Sequence, residues 1–123
     1  MYNLSGKKLA VVGSRSCKDK QIVFDFLDKN TANIKYIISG GADGPDEFSR
    51  AYCQEHGLPI LIFYPEWYDK TGAFVKSAGF QRNQYIVDEA DVVVAFWDGL
   101  SKGTAHSISI AKKQGKKVII KTF

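Results

Sequence analysis

Five short runs constrain this chain more than any other feature: "KLAVVG" (8–13), "KYIISG" (35–40), "PILIFY" (59–64), "DVVVAFW" (91–97) and "KKVIIK" (116–121). Each is a β-branched apolar stretch without polar alternation. A sheet with one wet face would alternate apolar and polar residues, so continuous runs point to parallel strands covered on both faces. The segments between them read as helices. "DKQIVFDFLDKN" puts Ile22, Val23, Phe26 and Leu27 on one face, and "PDEFSRAYCQEHG" opens on proline and acids and stops at Gly57. "FQRNQYIVDEA" and "AHSISIAKKQG" complete the alternation. The expected fold is therefore α/β: a Rossmann-like open sheet of about five mainly parallel strands with helices on both faces. With 123 residues, 45% of them hydrophobic, a single domain over 1–123 is expected.

Composition excludes more than it selects. A net charge of +4 is mild, and the lysines gather only at Lys112, Lys113, Lys116, Lys117 and Lys121, where they suit the negative end of a helix dipole. Cys17 and Cys53 do not make a disulfide framework and are expected to be free thiols. His56 and His106 have no cysteine or carboxylate at ligand spacing, so neither a metal nor a cofactor is expected. No apolar run approaches the ~20 residues of a membrane span, and a soluble, cytoplasmic protein is expected.

The unusual residues follow strand ends. "GSRS" (13–16) follows the first run, "SGGADGPD" (39–46) the second and "WDGLSKGT" (97–104) the fourth. In open α/β sheets, ligands bind beyond the carboxyl ends of the strands, where strand order reverses. Gly40 and Gly41 let backbone amides approach a ligand. Asp43 or Gly44 caps the helix that begins at Pro45, aiming unpaired N–H groups at the crevice. Gly103 repeats the access, Ser101 and Thr104 add hydroxyls, and Arg15 supplies a guanidinium suited to phosphate. Each also has a plainer reading. Glycine turns occur in most proteins, Asp46 fits a helix first turn, Asp98-Gly99 fits a tight turn, and Arg82 and Asn83 fit an exposed helix face. Trp67 and Trp97 read as packing residues. The long connection "PEWYDKTGAFVKSAG" (65–79) has the length of a functional or mobile loop.

Several fingerprints are missing: GxGxxG after the first strand, GxxxxGK[ST], GxSxG and a Cys–His nucleophile pair. What is present, "GSR", "SGGADGPD", "PEW", "AGFQRN" and "VVAFWDGLSKGT" followed by "GKKV", resembles in order and spacing the YspA-type, YpsA-related branch of the SLOG superfamily. The resemblance implies a Rossmann-like domain that senses or processes nucleotide-derived ligands, in a family often associated with phage and bacterial conflict. It places binding positions on Gly13, Ser14, Arg15, Gly40, Gly41, Ala42, Asp46, Arg82, Asn83, Asp98, Gly99, Ser101, Gly103 and Thr104. The more distant cytokinin-activating phosphoribohydrolases carry PGGxGTxxE. In this chain Ser107 stands at the glutamate position and Ser101 replaces a glycine, which counts against a transferred hydrolase activity.

The leading expectation is capture of a nucleotide or nucleotide-derived, phosphate-bearing small molecule, with Asp46 or Asp98 on ribose hydroxyls. An N-glycosidase that cleaves base from a nucleoside phosphate is the alternative, with Asp46, Glu47 and Asp98 as candidate acids. Single-stranded nucleic-acid binding ranks third and nucleic acid last among partners, because no basic stripe interleaved with aromatics is visible along the chain. A homo-oligomer through Phe74, Phe80 and Tyr85 is compatible with the sequence.

Overall fold

The structure is a computed structural model and describes residues 2–123; Met1, the first residue of the expected domain, lies outside the described residues. Five strands alternate with four helices: β1 (Lys8–Gly13), α1 (Lys20–Asn30), β2 (Tyr36–Ser39), α2 (Pro45–His56), β3 (Ile60–Ile62), α3 (Ala78–Glu89), β4 (Val92–Phe96), α4 (Lys102–Lys113) and β5 (Lys117–Lys121). All pairings are parallel and the strand order is β3-β2-β1-β4-β5. The expected α/β, Rossmann-like sheet is the one observed.

The pleat sorts each apolar run into two cores. Leu9, Val11, Ile37, Val92 and Val94 face α1 and α2, where Val23, Phe26, Leu27, Tyr52 and Cys53 meet them. Ala10, Val12, Ile38, Val93 and Ala95 face the opposite way, against Ile86 and Val87 of α3 and Ile108 and Ala111 of α4. The requirement for apolar residues on both faces holds fully only at the centre. Every residue of β4 is buried, whereas β3 has none buried and β5 only Ile119. These two are the edge strands, and Lys117 and Lys121 on β5 discourage pairing with another chain.

Several lysines at the C-terminal end of the chain are structural. Lys116 donates to the carbonyls of Val87 and Asp88 behind α3, Lys117 lies over the Tyr2 ring and Lys121 over Phe26. Both cysteines are free and buried, and burial pushes their thiols above the usual range, Cys53 to about 11. Among the described residues no helix is long and apolar enough to cross a membrane.

Strand order reverses between β1 and β4, since successive strands leave β1 in opposite directions. The loops that follow these two strands are tied together. Ser14 donates its amide to Phe96 O (2.9 Å), Asp98 donates its amide to Ser14 Oγ (3.1 Å), and Ser16 Oγ donates to Asp98 Oδ2 (2.7 Å).

Candidate functional site

A cavity of about 410 Å³ opens at this reversal point, beyond the carboxyl ends of the strands. Gly13, Arg15 and Ser16 line it from the β1 side, Ala42 and Asp46 from α2, Arg82 and Asn83 from α3, and Asp98, Ser101, Gly103, Thr104 and Ser107 from the β4–α4 side. An adjoining cavity of about 360 Å³ shares Arg15, Ala42 and Arg82 with it and adds Gly40, Gly41, Tyr64 and Trp67. Of the expected binding positions, only Ser14 and Gly99 line neither cavity. Ser14 is buried in the β1–β4 tie, and Gly99 turns the chain at φ 81°.

The β2–α2 wall is the polar centre. Asp46, only 6% exposed, accepts from the amide of Ala42 (3.2 Å). Its main-chain carbonyl accepts from the hydroxyls of Ser39 and Ser49, both fully buried. Burial pushes its carboxyl up to about 6. The amides of Ala42 and Gly40 and the guanidiniums of Arg82 and Arg15 act against that rise. Across the cleft Arg82 donates Nη1 to Gly40 O and Nε to Asn83 Oδ1. Asn83 in turn donates to Gly103 O (3.2 Å), so one buried amide orients the arginine and joins α3 to the start of α4. Burial draws the Arg82 guanidinium below its usual value, which Asp46 partly offsets.

Gly40 is required by close approach. A Cβ there would lie 2.5 Å from Arg82 Nη1 and 2.9 Å from Asp46 Oδ2. Gly44, at φ 81°, is the N-cap of α2 and supplies no side-chain cap, so of the two candidates Asp43 is not the capping residue. Pro45, the first helical residue, has no N–H to cap, and the helix start carries no side-chain cap bond.

The β4–α4 wall differs. Asp98 accepts through Oδ1 from the amides of Leu100 and Ser101, both at 2.8 Å, and these bonds hold its carboxyl down at about 2. The plainer reading, a turn residue, describes its local role. Ser101 is the N-cap of α4 without a side-chain cap bond; its hydroxyl lies 3.3 Å from that of Thr104. Around Gly103 a Cβ would meet nothing within 4 Å.

Lining residues outside the expected binding positions include Ser16 and Ser107 in the first cavity and Asp43, Tyr64 and Trp67 in the second. Trp97 packs as expected, half-buried with its indole N–H on Ser101 O (3.1 Å). Trp67, a packing residue on sequence alone, is 39% exposed and lines the second cavity. The "PEW" tripeptide was the available signal. The long loop that carries it is ordered by Asp69, whose Oδ1 accepts from Thr71 and Ala73 amides, and by Trp67 stacked on Phe74. Among the described residues no group of side chains is arranged to hold a metal ion.

Comparison with known proteins narrows the meaning of this geometry. Residues 7–69 match the family model described as the YspA, cpYpsA-related SLOG family. The Gene 61 protein of Mycobacterium phage D29 is 31% identical over 92% of this chain and 94% of its own length. Among solved structures, DNA processing protein A from Streptococcus pneumoniae superposes with a TM-score of 0.76 at 22% identity, over 92% of this chain and 49% of that one. The Helicobacter pylori protein of that name superposes with a TM-score of 0.65 at 24% identity, over 94% of this chain and 65% of that one, and its structure is described for a single-stranded DNA binding mode. This chain thus spans about half the length of the first and about two thirds of the second.

These neighbours overturn the leading expectation of a nucleotide-derived small molecule and the ranking of nucleic acid as the last partner, since the Helicobacter pylori protein is described for single-stranded DNA binding. The physical reason is visible in the cleft. No basic stripe interleaved with aromatics runs along the chain, but the fold brings Arg15, the Tyr64–Trp67 stretch and Arg82 together from three separate segments.

Proposed function

The chain belongs to the YspA, cpYpsA-related SLOG family, and from that premise we propose that it binds single-stranded DNA across the carboxyl ends of its strands. Backbone phosphates sit between Arg15 and Arg82, against the amides that precede α2. The observation that carries this reading is that both guanidiniums line both cavities, so a strand crossing from one to the other passes two cations. A guanidinium grips phosphate bidentately, and glycine-flanked amides add neutral donors without side-chain bulk. The phosphates carry affinity and little sequence information, so binding on this reading is salt-sensitive and tolerant of sequence.

The test is fluorescence anisotropy with a labelled oligo-dT over a salt series. For single strands the log–log slope is about 0.7 per neutralised phosphate. Arg15→Ala and Arg82→Ala are each expected to weaken binding about tenfold and to flatten that slope by about 0.7. Absence of binding by folded protein at low salt, or an unchanged slope in both variants, rejects the reading.

A further inference from the structure

Tyr64 and Trp67 extend the cleft away from the arginines. Tyr64 follows the edge strand β3, and its ring lies against Gly41: a Cβ on that glycine would be 2.4 Å from Tyr64 Cε1. The rest of the ring is open, leaving the residue 63% exposed. Trp67 is held from behind by the parallel Phe74 ring (centroids 5.9 Å apart, planes 9° apart) and by Gly79 of α3, where a Cβ would be 3.4 Å from Cη2. Both aromatics line the cavity that Arg15 and Arg82 also line, and a third cavity of about 600 Å³ continues from Tyr64 and Arg82 toward Tyr85. Two carboxylates, Asp43 and Glu66, stand along this extension. Glu66 disfavours phosphate beyond Tyr64, whereas Asp43 lines the same cavity as the two arginines.

We propose that Tyr64 and Trp67 form a base-stacking shelf, on which an unpaired base of the DNA strand lies while its phosphate is held by Arg15 and Arg82. The inference rests on the single-stranded DNA reading above and adds to it what the shelf recognises: the face of a base. Every base has such a face, so the shelf is tolerant of sequence; in a duplex that face is covered by neighbouring base pairs, so the shelf rejects paired DNA. Cations beside open aromatic rings match the two halves of a nucleotide, which a plain apolar docking surface would not.

The test compares oligo-dT with an abasic oligomer of equal length and charge, by anisotropy at fixed salt. The unmodified protein is expected to bind oligo-dT about tenfold more tightly than the abasic strand. Tyr64→Ala is expected to remove that preference while leaving abasic affinity intact, which also reports that the variant is folded. Tyr64→Phe, which keeps the ring, is expected to retain the preference. Trp67 emission is expected to be quenched by oligo-dT and not by the abasic strand, read in Trp97→Phe so that a single tryptophan reports. Equal affinity for the two strands overturns the shelf and leaves phosphate binding standing. Loss of abasic affinity in Tyr64→Ala assigns Tyr64 a purely structural role and likewise overturns the shelf. Binding of neither strand overturns both proposals.

Discussion

The strand-to-helix junctions after β2 and after β4 have nearly the same ingredients, two or three glycines, a hydroxyl residue and an aspartate near the helix start, yet they are built in opposite ways. After β2 the aspartate is buried, its carboxyl is raised to about 6, and Gly40 has no room for a methyl group. After β4 the aspartate is bound by its own turn, its carboxyl is lowered to about 2, and Gly103 has open space around it. One wall is packed and electrostatically loaded; the other is held by its own turn and by bonds to the β1 loop and α3, and is open around Gly103. The difference shows that a glycine at a strand-to-helix junction can mean either that something is already pressed against the backbone or that space is left for something to come.

The largest expected effect that sharpens this contrast is at Asp46. A folded-state carboxyl near 6 against an ordinary value of 3.8 means that the folded state holds this proton more tightly than the unfolded chain. Its contribution to stability is present in full below about pH 4 and is lost as pH rises to about 6. Asp46→Asn removes that loss and is expected to stabilise the protein at pH 7 by up to about 3 kcal/mol. Thermal melts of both proteins between pH 4 and 7 read the difference; a gap that fails to widen with pH breaks the contrast. Because the Asp46 charge opposes phosphate, DNA binding is also expected to tighten several-fold as pH falls through about 6, and this trend is expected to vanish in the asparagine variant.

Next come the two glycines. Gly40→Ala is expected to destabilise by about 1–3 kcal/mol, since Arg82 and Asp46 must shift, and to weaken DNA binding with it. Gly103→Ala, in a helix with space around it, is expected to stabilise by up to about 1 kcal/mol while narrowing the first cavity. Equal loss of stability in the two variants would erase the distinction between the walls. The smallest effect is expected at Asp98→Ala. It releases two amides at an exposed turn, and its stability difference from the unmodified protein is expected to disappear only as pH falls from about 4 through about 2, because the carboxylate is favoured in the folded state.

Much of the fold was legible because burial on two faces leaves an unmistakable trace. The runs at 8–13 and 91–97 are apolar without a polar break after their first residues, Lys8 and Asp91, and they became the central strands β1 and β4. The runs at 59–64 and 116–121 look much the same in sequence and became short or half-exposed edges, since nothing in a strand's own residues records how many neighbours it has. The same limit applies to charge. Lys116 reads as the solvated tail of a helix and is a donor to the end of α3, because Val87 and Asp88 arrive beside it only through the fold.

For the cleft, chain order alone supplied the glycines, Arg15 and Asp46 as candidates, because the carboxyl ends of parallel strands share one rim whatever the lateral order. It could not supply Asp46 as a buried carboxylate facing Arg82, nor the Tyr64–Trp67 shelf beside two arginines. Propensity and hydrophobic pattern are local properties, fixed within a few residues of the chain, and they determined helices, strands and the rim on which the loops lie. Which groups share a cavity, and so which charges lose their water and which rings keep an open face, is a property of distances between segments far apart in sequence. Only the packed sheet and its helices set those distances.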